Sequence, residues 1–100
     1  MPVTLYGSAV GHPKQTVGTT RQTLLGSGND VAAREVWITA DSANTGSIFL
    51  GDVTVTSAGA GNVFTKLVAG AGIVLQVTNT NDLYAVGSAS GQVFYVGSLV

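Results

Sequence analysis

Catalysis near neutral pH depends on side chains that titrate or attack there, and this sequence offers few. His12 is the single histidine, set in Gly11-His12-Pro13. A Ser–His–Asp arrangement would rest wholly on it, since there is no cysteine to serve as an alternative nucleophile. In that context it reads as a surface turn residue. Five carboxylates, Asp30, Glu35, Asp41, Asp52 and Asp82, are the only candidates for the paired acids of glycoside hydrolysis. All but Glu35 fall in or beside turns, where an Asp carboxylate commonly accepts hydrogen bonds from nearby amides.

Two polar stretches present oxygen atoms that Ca²⁺ would accept, Asp41-Ser42-Ala43-Asn44-Thr45-Gly46 and Asn79-Thr80-Asn81-Asp82. Neither has the alternating acidic spacing of an EF-hand loop, and neither holds enough carboxylates. The glycine-rich turns do not read as phosphate cradles, because no lysine of the Walker type follows them and no helix begins there. Without cysteine there is also no thiolate metal site and no disulfide framework. The expectation is a protein that is not an enzyme and takes no cofactor or metal.

The elements that would position any site are strands. Val and Thr abound, Gly stands at 14 in 100 residues, and the helix formers Glu, Lys, Gln, Arg and Met are sparse. Arg34 to Ala40 alternates with period two, sending Val36, Ile38 and Ala40 to one face and Glu35, Trp37 and Thr39 to the other. Ser47 to Gly51 follows, with Ile48 and Leu50 on the core face. Asp52 interrupts the run, and Val53 and Val55 then alternate with Thr54 and Thr56. Further strands are expected at Val63–Val68, Ile73–Thr78, Leu83–Val86 and Gln92–Val96, separated by turns rich in Gly, Asn and Ser. Such spacing specifies an all-β domain, a small β-sandwich or jelly-roll-like barrel.

Residues 1–33 differ, because Gly7, Gly11, Pro13, Gly18, Gly26 and Gly28 interrupt each apolar window. They read as an extended N-terminal arm or edge strands, with strands near Val3–Tyr6 and Thr16–Leu25, beside a β-sandwich domain at 34–100. One hundred residues suffice for one cored domain. No basic and apolar leader is expected from Met1-Pro2-Val3-Thr4-Leu5-Tyr6, and no apolar run approaches the ~20 residues of a membrane span.

Charge is unusually low. Only 9% of residues are Asp, Glu, Lys or Arg, against about a quarter in an average domain. The four cations, Lys14, Arg21, Arg34 and Lys66, are scattered, so nucleic acid is not an expected partner. A net charge of −1 lies near the value at which free proteins self-associate, which suits a surface covered by neighbouring subunits. Trp37 and Phe49 fall opposite the core face by alternation, and would meet as cross-strand neighbours if their strands paired. Buried under the arm, they are ordinary packing; left open, they anchor a subunit contact, where aromatic residues are enriched. Val3, Leu5 and Tyr6 of the arm join Trp37 and Phe49 as candidate protein-contact residues.

Val36-Trp37-Ile38-Thr39-Ala40, followed by Asn44-Thr45-Gly46-Ser47-Ile48-Phe49-Leu50-Gly51, resembles a module of small tailed-bacteriophage virion proteins. In that family a Leu-x-Pro-Gly turn comes next, where this chain has Leu67-Val68-Ala69-Gly70, with Ala69 in place of the proline. A closing segment like Leu-Tyr-Val-Ile-Gly-Ser-x-x-Gly-Gln is matched by Leu83-Tyr84-Ala85-Val86-Gly87-Ser88-Ala89-Ser90-Gly91-Gln92. The resemblance covers about residues 34–100. It implies a β-sandwich in a virion, as a capsid decoration (cement) subunit on the capsid surface that forms a homo-oligomer and binds major capsid protein or other virion proteins. A tail, baseplate or head-fibre component is the alternative it leaves open. A small carbohydrate-binding domain or hydrolase is the third class.

Overall fold

From Glu35 onward most strands form close to where the alternation places them, the strand Ala9–Gly11 is not marked by it, and the strands stack into two layers. The computed structural model describes residues 9–26 and 31–99. One sheet contains β1 (Ala9–Gly11), β2 (Gln15–Val17), β4 (Glu35–Ala40), β7 (Gly72–Leu75) and β9 (Gln92–Leu99). The other contains β3 (Gln22–Thr23), β5 (Ile48–Gly51), β6 (Val63–Leu67) and β8 (Tyr84–Gly87), in the order β3-β8-β5-β6. All pairings are antiparallel. The first sheet runs β1-β9-β4-β7, and β2 also pairs with β9, further along it than β1. The protein is an all-β sandwich.

The core lies between the sheets, and its residues are those of the inward-facing set. Val36, Ile38 and Ala40 from β4, Ile48 and Leu50 from β5, and Phe94 and Val96 from β9 are buried together with Leu67 and Ala85. Each large side chain withdrawn from water contributes about 1.5–3 kcal/mol toward offsetting the entropy of ordering the chain. Residues 9–25 supply edge strands to both sheets, and Val17, Leu24 and Leu25 reach the core. The first expected strand at Val3–Tyr6 lies outside the described residues. The expected Thr16–Leu25 run divides into β2 and β3 at Gly18, whose carbonyl accepts the Gly87 amide.

The expected Ile73–Thr78 strand is Gly72–Leu75 and ends three residues early. Three further departures have local reasons. Val53 to Thr56 is not a strand: the Asp52 carboxylate takes the amide of Thr54 at 2.8 Å and turns the chain. β9 continues to Leu99, because Gly97 sits within the strand instead of closing it. Asn79 to Asp82 forms a short 3₁₀ turn, with the Asp82 carboxylate accepting the Asn79 amide at 3.2 Å.

Candidate functional site

The residues that carry chemistry are dispersed, and most are occupied in holding turns. His12 Nε2 lies 2.8 Å from Ser98 Oγ, but that hydroxyl is fully buried, where no substrate carbonyl can approach it. The pair ties the start of the chain to β9, with the His12 amide donating to the Val96 carbonyl at 3.0 Å. Asp41 Oδ1 accepts the Ala43 amide at 2.9 Å, and its Oδ2 accepts the Tyr95 hydroxyl at 2.8 Å. The Ala43 amide first, then the Tyr95 hydroxyl, holds the Asp41 carboxyl below its ordinary 3.8; the same contact raises Tyr95 above its ordinary 10.0. Among the described residues, no three His, Cys, Asp or Glu side chains gather where a metal ion would sit. In the second polar stretch, Asp82 Oδ2 accepts the Thr78 hydroxyl, and Asn81 Oδ1 accepts the Leu25 amide.

Asn44, Ser47, Ser88 and Gln92 do more than sequence reasoning assigned to them. Asn44 reaches β9 with both ends of its amide: Nδ2 donates to the Val93 carbonyl and Oδ1 accepts the Val93 amide, each at 2.8 Å. Gln92 is buried, its Oε1 accepting the Gly46 amide at 2.8 Å while Nε2 donates to Thr45 Oγ1 and the Ser90 carbonyl. Ser88 Oγ accepts the Ser47 amide at 2.9 Å, and the Ser88 amide donates to the Ser47 carbonyl. Gly46 leaves the space this requires, since a Cβ there would lie 2.5 Å from Ser88 Oγ. Asn44-Thr45-Gly46-Ser47 and Gly87-Ser88 through Gln92 thus form one hydrogen-bonded knot across the two sheets. The only signal for it in the sequence was the recurrence of these residues in the resemblance.

Outside the core lies the outer face of each sheet, and the two differ. Trp37 and Phe49 do not meet across a strand pair. β4 pairs with β7 and β9, and β5 with β6 and β8, so the rings stand on opposite outsides of the sandwich. Alternation fixed their facing within each strand, but not the sheet to which each strand belongs.

On the β5 side, Phe49 pairs in register with Val86, and the loop 52–62 folds over them. Val55 in that loop is fully buried although it is outside the main core, and Gly59 lies against the Phe49 ring, where a Cβ would be 3.0 Å from Cε1. Asp52 organises the loop: Oδ1 accepts the Thr54 amide and hydroxyl, and Oδ2 accepts Asn62 Nδ2 at 2.8 Å. These bonds, the Thr54 hydroxyl first, lower the Asp52 pKa below 3.8. Gly61 has φ +84° and lies under the Thr54 carbonyl, so the loop needs glycine there. Beside Val55 and Val86 runs an open groove of about 480 Å³ bordered by Thr19, Thr20, Arg21, Thr56 and Ser57.

On the β4 side, no described loop covers the sheet in this way. Gly11, Gly97, Trp37 and Val74 lie in one cross-strand row. The Trp37 ring lies over Gly97, where a Cβ would be 2.6 Å from Cε3, and it is only half-buried. Val74 and Tyr95, on the same face, are 52% and 45% exposed. Of the candidate contact residues, Trp37 is on this open face, Phe49 is under the loop, and Val3, Leu5 and Tyr6 lie outside the described residues. No family model, no curated protein and no solved structure matches the chain.

Proposed function

We propose that the chain is a non-enzymatic virion structural protein, a capsid decoration (cement) subunit that binds and stabilises a shell of major capsid protein. The observation that carries the reading is the knot. The residues by which the sequence resembles phage virion modules, Asn44-Thr45-Gly46-Ser47 and Gly87-Ser88 through Gln92, act as one structural unit. Low charge and the open Trp37, Val74 and Tyr95 face are consistent with a subunit whose surface is covered in an assembly. An interface of ~800 Å² per partner suffices for specific binding, and many copies on one shell multiply it by avidity.

The test adds the purified chain to phage heads that lack it. Co-sedimentation and raised heat or salt resistance are expected, and heads that neither bind the chain nor gain resistance contradict the reading. A second reading, a small carbohydrate-binding domain, draws on Tyr95 and Asp41, an exposed aromatic beside a turn carboxylate. It ranks lower because the Ala43 amide and the Tyr95 hydroxyl already occupy that carboxylate. Glycan-array binding lost in Tyr95→Ala would favour it.

A further inference from the structure

Four edges bound the two sheets, and they are not equally protected. Unpaired strand edges invite other strands, and proteins ordinarily blunt them with lysine, proline, bulges or brevity. β3 is two residues long. The β1 and β2 edge is broken by Pro13 and Lys14. β6 carries Lys66, and its register with β5 is interrupted between Leu50 and Gly51. β7 is four residues long but has no lysine, proline or bulge, and from Leu67 to Asn81 the sequence contains no charged residue and no proline.

The direction of its backbone groups follows from its neighbours. The Asp41 amide bonds the Val93 carbonyl, so the odd-numbered residues of β4 turn toward β9. Val36, Ile38 and Ala40 therefore turn toward β7, and the Ala40 amide bonds the Ala71 carbonyl. By the alternation of an antiparallel ladder, Ile73 and Leu75 bond β4, while Gly72 and Val74 aim their amides and carbonyls outward. Among the described residues, no strand lies beyond them.

We propose that β7 pairs antiparallel with β7 of a second copy of this chain about a two-fold axis at Val74, joining the two outer sheets into one. This rests on the virion-subunit reading proposed above and deepens it by naming how the homo-oligomer implied by the sequence resemblance would form. A strand without charge offers nothing to complement a charged partner strand, whereas it meets its own image without repulsion, and the net charge of −1 opposes self-association little. The register centred on Val74 places Val74 against Val74 of the second copy and Gly72 against Gln76 of the second copy. The outward amides of Gly72 and Val74 then find carbonyl acceptors, and the row Gly97–Trp37–Val74 continues into its mate, where the half-exposed Val74 side chain is flanked by Val74 of the second copy. Such a contact is isologous and closes at two copies.

Because the chain has no cysteine, single-cysteine variants report on the axis cleanly. Directly opposed residues of a hydrogen-bonded antiparallel pair have Cα atoms ~5.5 Å apart, within disulfide range. Val74→Cys is expected to give a disulfide-linked dimer on mild oxidation, and Val53→Cys, equally exposed on the other side of the sandwich, is not. Light scattering of the wild-type chain should give a dimer mass, and Val74→Lys, which opposes like charges on the axis, should raise the dimer dissociation constant roughly tenfold or more. A monomeric wild type, or equal crosslinking at Val53 and Val74, overturns the proposal. Should Val74→Lys fail to fold, the cysteine pair decides alone. Sedimentation with phage heads separates the two claims: a monomer that binds heads sinks the β7 contact and leaves the decoration reading standing, and a dimer that ignores heads does the reverse.

Discussion

The two outer faces of the sandwich begin alike and finish differently. Each carries an aromatic ring at the centre of an inner strand, Trp37 on β4 and Phe49 on β5. Over Phe49 the chain itself supplies a cover, the loop 52–62, with Val55 fully buried beneath it. Over Trp37 no described loop does so, and Val74 and Tyr95 stay about half exposed beside it. A ring whose covering is intramolecular contributes to folding, whereas one left open has its contribution available to a partner. On the proposed reading, the difference between the faces is a division between stability and contact.

The most disruptive way to break that division is to unseat the loop. Gly61→Val combines a left-handed backbone position with a collision against the Thr54 carbonyl, and should cost about 3 kcal/mol in urea denaturation. An unchanged midpoint would mean that the loop does not hold Phe49. Phe49→Ala removes the ring under the cover and should lower stability by about 2 kcal/mol, with little effect on head binding by the folded fraction. Trp37→Ala sharpens the contrast in the opposite sense: a smaller loss of stability, about 1 kcal/mol, with binding to heads reduced ~tenfold. Equal head binding by a well-folded Trp37→Ala variant would remove the open face from the account.

The smallest effect expected is on pH dependence. Asp52, in the loop, and Asp41, at the margin of the open face, both have depressed folded-state pKa values. Their contributions are present above the unfolded value of 3.8 and are lost as pH falls below it, through the folded values. Tyr95 is raised, so its contribution is present below 10.0 and lost as pH climbs beyond that. Thermal melts should accordingly show a plateau between those limits. Asp52→Asn should flatten the acid limb through the loop, and Tyr95→Phe the alkaline limb; a variant that left its limb unchanged would show that the hydrogen bond contributes nothing to folding.

How much of this was legible in the sequence follows from the range of each signal. Period-two alternation is local, and it placed Val36, Ile38, Ala40, Ile48 and Leu50 in the core. Strand partnership is not local. Trp37 and Phe49 have the same signature within their strands, and only the pairing of β4 with β9 and β5 with β8 separates them. Val53 and Val55 continue the alternation of β5, yet the Asp52 carboxylate captures Thr54 and converts a prospective strand into a cover. Gly97 reads as the end of a strand, and is instead the position within β9 that admits the Trp37 ring. The knot made by Asn44 and Gln92 links residues 49 and 46 positions apart, beyond the reach of any periodicity; it surfaced only as motif residues of the resemblance.

The most direct test of the decoration reading is the count and position of this chain in a purified particle, by quantitative mass spectrometry and imaging of the heads. The account predicts copies comparable in number to the capsid-protein subunits, lying on the head surface with the Trp37 face covered. A few copies confined to the tail, or recovery only as a soluble, particle-free monomer, would contradict it.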